Sequence, residues 1–485
     1  RPCSVLARKS EQLCTTAISW SIATLSLPLV VLASRRVRRV LLATVVLNIP
    51  LRVEKHFFIR QDAGDLGSLG GLQISLTNIA LTVLYVAWLL RIVIQSRSSA
   101  PQRRSLSKVT FPAVLLLVFY ALSLFIARDV GLGVFEVCSV LELFFLYLYI
   151  SKTTNAREDV LFIVRLLLIG LLIQSLLMLA QVGGLIGDIQ FFGLKARSEF
   201  PGVAGDLRIS GTIGAPNAAA AYLAMMMAVA LGVLLANVRL ADKYLAGIGL
   251  AMATVPLIFT LSRGGWLSFL VGLAAIMIFG RRRVPWKSVG VLTVILLLLV
   301  IPFSGIIAER LSGDDNGSAA SRIPLNHLAA VMIADHPLSG AGANNFAVAM
   351  EPYLAHNFSG DFLYTVHNTY LLIWAETGIG GLIAFIWLLI AIVRQGYRCW
   401  SLRDPLCAPL ALGCAAAVMV FMVQINFEPT RSRAESHLIW LFAGLITAMI
   451  RMSVGPPAVP QAGAMAVRKL IPLNFGRPST TMDRA

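Results

Sequence analysis

The sequence predicts an all-α, polytopic membrane protein, and its composition is the first reason. The chain of 485 residues is 57% hydrophobic and only 13% charged, and its mean hydropathy is +0.78. Soluble domains carry about 25% charged residues. Apolar runs of about 17 to 25 residues recur along almost the whole chain, and each can cross a hydrocarbon core of roughly 30 Å as a helix. Their number predicts about 12 to 13 transmembrane helices.

The predicted spans are joined by short connections, with one large exception. They lie at about 15–34, 38–53, 72–94, 109–127, 132–150, 160–182, 216–236, 244–261, 265–280, 287–305, 368–394, 405–425 and 437–452. Little more than the basic cluster RRVRR separates the first two, so the count is 12 or 13. Because the chain begins with Arg1, the sequence leaves open whether its N-terminus is complete.

The distribution of charge predicts the orientation. Every second loop carries a cluster of Lys and Arg, and such short loops are retained on the cytoplasmic side. The clusters begin at Arg35, Arg97, Lys152, Arg239, Arg281 and Arg394. The alternate loops hold most of the acidic residues, so we expect them on the non-cytoplasmic side. The formal net charge of +17 is therefore interpreted as a topology signal, with no nucleic-acid partner expected.

This topology divides the chain into four parts. Residues 1–305 form an N-terminal transmembrane bundle with external loops at about 54–71 and 183–215. Residues 306–366 form a large external, periplasmic loop, and 367–452 the C-terminal transmembrane helices. Residues 453–485 are rich in Pro, Gly and Ala and predict a disordered cytoplasmic tail. The six scattered cysteines form no CxxC pair, which disfavours a disulfide framework or a zinc site.

Three arginines are predicted on the external side. Arg263 lies in LSRGGWL, a tight turn between two apolar runs, where the positive-inside bias disfavours a cation. A guanidinium group matches phosphate oxygens in bidentate geometry, although Arg263 could also extend to the lipid headgroups. Arg208 precedes the segment GTIGAPN, which includes Asn217, and a surface ion pair would explain Arg208 equally well. Arg322, in the large loop, is the weakest candidate for phosphate binding.

His367 is the best candidate base among the six histidines. We predict it in the first turn of a long apolar helix with Thr365 as the cap, where the helix dipole disfavours protonation of the imidazole. The alternative is a structural histidine at the membrane interface. Glu376 lies in an apolar run and is either functional or bonded to a neighbouring helix. Asp314 and Asp315 lie in SGDDNGS, which favours a solvated turn over a metal site.

Four segments in this order resemble the O-antigen ligase and O-antigen polymerase-related family of membrane glycosyltransferases. They are Arg208 with GTIGAPN, LSRGGW, SR followed by HPLSGAGANNF, and HNTYLLIWAETGIGG. The specific motifs cover roughly residues 200 to 395. Members of this family have about twelve spans and a large periplasmic loop, and they use undecaprenyl-diphosphate-linked glycans as donors.

The resemblance implies roles for individual residues. Arg208 and Arg263, with Arg322, would bind the donor diphosphate, and His367 would activate the acceptor hydroxyl. Supporting residues would be Asn217, Asn368, Glu376, Tyr364 and Tyr370, with Tyr353, Tyr364 and Tyr370 as surfaces for sugar stacking. The reaction would be inverting and independent of metal, with no cofactor. It would take place at the outer face of the inner (plasma) membrane, in lipopolysaccharide or other cell-envelope polysaccharide biosynthesis.

Two alternatives to a ligase stay open at this point. A polymerase would use the same chemistry but transfer the glycan to another lipid-linked repeat unit, whereas a ligase transfers it to a glycan, lipid or protein acceptor. A transporter or flippase for a lipid-linked glycan is the alternative of another class. It predicts charged or broken segments near the bilayer midplane, of which the sequence contains few.

Overall fold

The structure, a computed structural model, describes residues 34–51, 53–96, 107–187, 189–191, 194–196, 208–281, 298–312, 320–358, 363–429 and 433–454. The chain forms one compact unit of residues 1–453 and a second unit of residues 454–485, in which only Val454 is described. Nearly all of the predicted span 15–34 and of the predicted tail 453–485, most of the predicted span 287–305, and the Asp314–Asp315 pair therefore lie outside the described residues.

Long helices account for most of the described chain. They are α1 (Arg35–Leu51), α3 (Leu76–Ser96), α4 (Thr110–Leu122), α5 (Val130–Thr153), α6 (Arg157–Val182), α7 (Pro216–Leu235), α8 (Leu240–Phe259), α9 (Arg263–Gly280), α14 (Thr369–Ser401), α15 (Cys407–Gln424) and α16 (Arg433–Val454). Nine of these described helices, all except α1 and α4, are long and apolar enough to cross a membrane. The prediction of an all-α polytopic membrane protein is confirmed.

Short elements connect the long helices. They are β1 (Glu54–Phe57), α2 (Gln61–Asp65), β2 (Leu72–Ser75), β3 (Ile189–Phe191), β4 (Leu194–Ala196), α10 (Ser304–Ser312), α11 (Arg322–Asp335), α12 (Phe346–Ala349) and α13 (Glu351–Asn357). Two antiparallel hairpins, β1 with β2 and β3 with β4, contain the only strands among the described residues. The loop predicted at 306–366 is thus largely helical where it is described.

Helix α7 forms the centre of the bundle. Its Ala- and Met-rich sequence is buried from Ala218 to Val233, and it packs against α8, α9 and α15. Small side chains allow neighbouring helices to approach closely when lipid gives no hydrophobic drive for association. The first residues of α7 and α9 and the last residues of α15 lie at one end of this core, where the candidate site is found.

Helix α14 is broken near its start. Gly378 has φ +71° and interrupts the helical backbone. The loop after α11 satisfies the backbone groups freed at the break: Ala341 N donates to Ala375 O (2.8 Å), and Ile379 N donates to Pro337 O (3.0 Å). A backbone group left without a partner inside a membrane protein is costly, so this loop stabilises the kink. The first turns of α14 therefore pack against the large loop, including α11.

Candidate functional site

Six ionisable residues that are far apart in the sequence line one open pocket of about 470 Å³. They are Arg208, Arg263, Arg310, Arg322, His367 and Glu428. We call this site the arginine pocket. Its volume lies within the range of roughly 300–1,000 Å³ that is usual for ligand sites. All of the candidate arginines and the candidate base predicted from the sequence are among its lining residues.

Arg208 is held by two hydrogen bonds on one side of the arginine pocket. Its Nε donates to Thr260 O at the end of α8 (2.9 Å), and one terminal nitrogen donates to Asn217 Oδ1 (2.9 Å). Burial, with the positive charges of Arg310 and Arg322, lowers the pKa of Arg208 to about 10, and the negative charge of Glu428 acts in the opposite direction. The guanidinium is therefore in an electropositive, partly dry environment that favours an anionic ligand.

Arg263 is the first residue of α9. Ser262 caps the start of this helix, and the two glycines after Arg263 allow it to pack closely. The Ser262 side chain accepts a hydrogen bond from Gly265 N (3.2 Å). A Cβ on Gly265 would overlap the Cβ of Ala220 on α7, and one on Gly264 would lie 2.9 Å from the Phe427 ring. The SRGG motif therefore brings the start of α9 against α7 and places Arg263 at the pocket.

Two further arginines come from the large loop. Arg310, on α10, donates through Nε to Leu261 O in the turn before α9 (3.1 Å). Arg322 is the first residue of α11. The sequence analysis did not predict Arg310 at the site, because nothing in its local sequence distinguishes it.

His367 precedes α14 by two residues. The prediction that it lies in the first turn is therefore slightly wrong, and so is the prediction of Thr365 as the cap. Asn368 is the cap, since its Oδ1 accepts hydrogen bonds from Tyr370 N (3.0 Å) and Leu371 N (3.2 Å). Burial, and then the positive charge of Arg322, lower the pKa of His367 to about 4, whereas a hydrogen bond with the Thr365 backbone raises it. The imidazole is therefore neutral at physiological pH and can accept a proton.

Glu428, in the connection between α15 and α16, is an acidic residue of the pocket that the sequence analysis missed. Its Oε2 accepts a hydrogen bond from Asn217 Nδ2 (3.0 Å), and its backbone oxygen accepts one from Thr369 Oγ1 (2.8 Å). Burial raises the pKa of Glu428, although Asn217, Arg322 and Arg208 act in the opposite direction. The signal that could have identified it was an acidic residue in the predicted external turn after 405–425.

Asn217 connects the two sides of the pocket, since it accepts from Arg208 and donates to Glu428. Behind it, Gln424 Nε2 donates to Asn217 O (3.2 Å), and Gln424 Oε1 accepts from Ser268 Oγ on α9 (3.0 Å). These bonds join α7, α9 and α15 below the pocket. They fix the relative positions of Arg208 and Arg263.

The remaining candidates lie beside the pocket or away from it. The Tyr364 and His367 rings have centroids 5.4 Å apart. Tyr370 is turned into the bundle, where its hydroxyl donates to Met422 O (3.0 Å).

Glu376 is buried, and its Oε1 accepts a hydrogen bond from Phe346 N of the large loop (3.2 Å). Tyr353 packs in the separate apolar cluster of that loop. Of these four residues, Tyr364 is the nearest neighbour of the proposed base.

Within the described ranges, no group of three or more His, Cys, Asp or Glu side chains comes together as a metal site would require. Asp314 and Asp315 lie outside those ranges, so this finding does not bear on them. The predicted metal independence of the reaction stays a prediction.

Together, the fold and this site define a multi-pass helical membrane protein with a cationic pocket at one end of its bundle. The sequence model of a protein family described as O-antigen ligase matches residues 248–386. The match confirms the resemblance to an O-antigen ligase-related family, and the matched segment includes Arg263, Arg310, Arg322 and His367. It supports an enzyme of the ligase or transferase type that acts in polysaccharide or cell-envelope synthesis.

Two other comparisons with known proteins give less information about this chain than the family match does. No curated protein matches the chain. A chain in a solved structure titled "Structural coordination of polymerization and crosslinking by a peptidoglycan synthase complex" is similar at 18% identity, over 76% of this chain and 96% of that chain. The TM-score is 0.27, and a likeness at that level carries no argument about function.

Proposed function

We propose that the protein is a glycosyltransferase that transfers a glycan from a polyprenyl diphosphate to an acceptor hydroxyl on the non-cytoplasmic face of the membrane. The observation that carries this proposal is the convergence of four arginines and one neutral histidine on a single pocket. The reaction requires these two kinds of group. A diphosphate leaves with growing negative charge, and the acceptor hydroxyl must lose a proton.

The arginines supply the first requirement. Guanidinium groups bind phosphate oxygens through paired, charge-assisted hydrogen bonds. Arg208 and Arg263 are fixed by the start of α7 and α9, so their positive charge is already in place when the bond to the diphosphate breaks. Preorganised cations of this kind in a partly dry site stabilise developing negative charge strongly. Arg310 and Arg322 add charge from the large loop, which supports a reaction without a divalent cation.

His367 supplies the second requirement. In the proposed step the acceptor oxygen attacks the anomeric carbon, the bond from that carbon to the diphosphate oxygen breaks, and the hydroxyl proton passes to His367. A pKa of about 4 makes the imidazole a weak base in the empty pocket. A bound diphosphate offsets the charge of Arg322 and moves this pKa upward, toward the range in which general bases are effective. A single displacement inverts the anomeric centre.

The surface beside the pocket suits a lipid-linked donor. Leu267 lines the pocket and is 49% exposed, and Leu270, one turn further along α9, is 58% exposed. An apolar face next to a phosphate-binding site allows a polyprenyl chain to lie along α9 while its diphosphate enters the pocket. We infer that the donor enters from the bilayer and the acceptor from the large loop, where Tyr364 adjoins His367.

The proposal is tested with purified protein in liposomes that contain an undecaprenyl-diphosphate-linked glycan and a candidate acceptor. Release of undecaprenyl diphosphate and formation of the coupled glycan are measured together. His367→Ala is expected to lower turnover by on the order of 10²–10⁴-fold, the usual contribution of a general base. His336→Ala, a change of an exposed histidine in the same loop, is the matched control and keeps full turnover.

The same assay distinguishes the alternatives. Coupling of one lipid-linked repeat unit to another identifies a polymerase, and coupling to a different acceptor identifies a ligase. Movement of the lipid-linked glycan across the bilayer without a covalent product would identify a transporter and contradict the proposal. Loss of turnover in chelator, restored by Mg²⁺ or Mn²⁺, would contradict the metal-independent mechanism alone.

A further inference from the structure

A second region of the chain contacts the backbone that leads to His367. Residues 53–75, which we call the 53–75 segment, connect α1 to α3 and contain β1, α2 and β2. Near the middle of this segment, Leu66 O accepts a hydrogen bond from Thr365 N (2.9 Å). The next residue, Gly67, lies against the Tyr364 ring and the Thr365 side chain. The 53–75 segment therefore meets the chain two and three residues before the proposed base.

The 53–75 segment is itself fixed at several points. Arg60 forms an ion pair with Asp129 at the start of α5 (2.7 Å). Asn344, a buried residue of the large loop, accepts a hydrogen bond from Leu69 N (2.6 Å) and donates one to Leu69 O (3.0 Å). The segment is thus attached to both the bundle and the large loop. Support of this kind holds a functional side chain in one geometry.

We propose that the 53–75 segment is a positioning element for His367 and that Gly67 is its central positioning residue. This inference rests on the proposed function, in which His367 accepts the acceptor proton. Gly67 is not one of the residues that line the arginine pocket. It acts through Tyr364 and Thr365, and so it affects the placement of the base and leaves the binding of the diphosphate unchanged.

The geometry at Gly67 admits no side chain. Its φ is +91°, a conformation that residues with a Cβ rarely adopt. A Cβ at this position would lie 2.5 Å from Tyr364 Cε1 and 2.6 Å from Thr365 Oγ1. An alanine must therefore displace the Thr365 side chain and the Tyr364 ring, whose centroid lies 5.4 Å from that of the His367 ring, and the displaced ring changes the position of the imidazole. A misplacement of about 1 Å at a reacting group can lower turnover by roughly 100-fold.

The test compares Gly67→Ala with Gly64→Ala in the same segment. Gly64 is the matched control because it lies in α2, and an added Cβ there would make only an ordinary contact, 3.6 Å from Gly70 Cα. For Gly67→Ala we expect kcat per folded molecule to fall by roughly 100-fold, with KM for the lipid-linked donor unchanged. Gly64→Ala should match the wild type. An unchanged kcat for Gly67→Ala, or an equal effect of both variants, would overturn the proposal.

A second variant covers the case in which Gly67→Ala does not fold. Asn344 has φ +57°, which glycine adopts readily, so Asn344→Gly removes both hydrogen bonds to Leu69 without a clash. It should lower kcat in the same direction as Gly67→Ala, with KM for the donor again unchanged. Full kcat in this variant would contradict a positioning role for the segment.

A readout that does not depend on turnover separates this inference from the proposed function. The rate at which diethyl pyrocarbonate modifies His367, measured by peptide mass spectrometry, reports the accessibility and protonation of the imidazole. Gly67→Ala should change this rate and its pH dependence, and Gly64→Ala should not. If His367→Ala retained full transfer, the proposed function would fail. An unaltered modification rate in Gly67→Ala would mean that the positioning role fails, whatever the result for His367→Ala.

Discussion

Among the described residues, two clusters of ionisable side chains differ in how their charges are balanced. In the first, which we call the buried ion network, Arg433 on α16 pairs with Glu54 (3.3 Å) and Glu142 (3.0 Å). His437 Nε2 lies 3.2 Å from the same Glu142 carboxylate, and none of these side chains is more than 14% exposed. In the arginine pocket, by contrast, the described lining contains four arginines and one carboxylate, Glu428.

This difference in charge balance indicates which of the two clusters is arranged to bind a ligand. A buried charge is costly unless it is paired and hydrogen-bonded. The buried ion network satisfies this rule internally, since Asn78 Nδ2 also donates to Glu142 (2.6 Å). The arginine pocket is open, and the cationic excess of its described lining suits the diphosphate of the proposed donor. Changes in the first cluster should therefore affect stability, and changes in the second should affect turnover.

Arg433→Met is expected to have the largest effect on stability. It removes the cation between Glu54 and Glu142 and leaves two nearly buried carboxylates without the arginine that they share. Breaking a buried ion pair in this way costs about 3–5 kcal/mol. The free energy of unfolding in detergent, measured by denaturant titration, should fall by this amount, and turnover per folded molecule should stay near that of the wild type.

The control for this change is Arg398→Met, in which an exposed arginine of α14 is replaced and the stability should not change. If Arg433→Met kept full stability but lost turnover, the contrast between the two clusters would be wrong. The buried ion network would then belong to the functional machinery.

Arg263→Gln is expected to have the opposite pattern. The variant keeps a polar side chain at the start of α9 but removes the positive charge that faces the proposed diphosphate. Loss of one preorganised donor costs roughly 100-fold in turnover, whereas thermal stability should stay the same or rise, because the repulsion among the pocket arginines decreases. Transfer rates and melting temperatures of the same preparation check both parts. A stable variant with normal turnover would remove Arg263 from the proposed mechanism.

Much of the bundle could be predicted from the sequence, because the bilayer imposes a length on each span. Apolar runs such as 216–236 and 405–425 correspond closely to α7 and α15. The kink of α14 could not be predicted from sequence periodicity, because the break at Gly378 is stabilised by the distant segment around Pro337 and Ala341. Helical structure in the large loop was also missed, since short helices such as α12 leave little periodic signal.

At the site, the sequence identified the residues with an unusual local context. Arg263 was found because an arginine in a predicted external turn conflicts with the positive-inside bias, and His367 because it was predicted in the first turn of a long apolar helix. Arg310 and Glu428 were missed because their importance arises only from the three-dimensional packing. The same holds for Gly67, whose partner Tyr364 is almost three hundred positions away in the sequence.

Asn217→Ala is expected to have a smaller effect than loss of an arginine. Asn217 bonds both Arg208 and Glu428, so its removal leaves the arginine in the pocket but less well oriented. We expect turnover to fall by about 10-fold, which corresponds to one hydrogen bond to a charged group. Asn426→Ala changes an exposed residue just after α15, whose side-chain amide donates within the described chain to Met422 O and Val423 O at the end of that helix, and it should have no effect. Equal turnover in the two variants would show that orientation of Arg208 is unimportant.

The smallest expected effect is a change in pH dependence, and it bears on how the arginine pocket controls its base. The pKa of His367 is lowered to about 4 by burial and by Arg322. The neutral imidazole is the form that accepts a proton, so kcat/KM should persist above this pKa of the empty pocket and decline as the pH falls through it. Arg322→Gln removes one cause of the lowering, and the acid limb of the kcat/KM profile, which reports the protein without bound donor, should therefore move to higher pH. The same substitution should leave the free energy of unfolding of the protein unaltered, because Arg322 lies outside the buried ion network. An acid limb at the same pH in wild type and variant would mean that Arg322 does not act on His367, and the electrostatic link between the phosphate-binding arginines and the base would have to be abandoned.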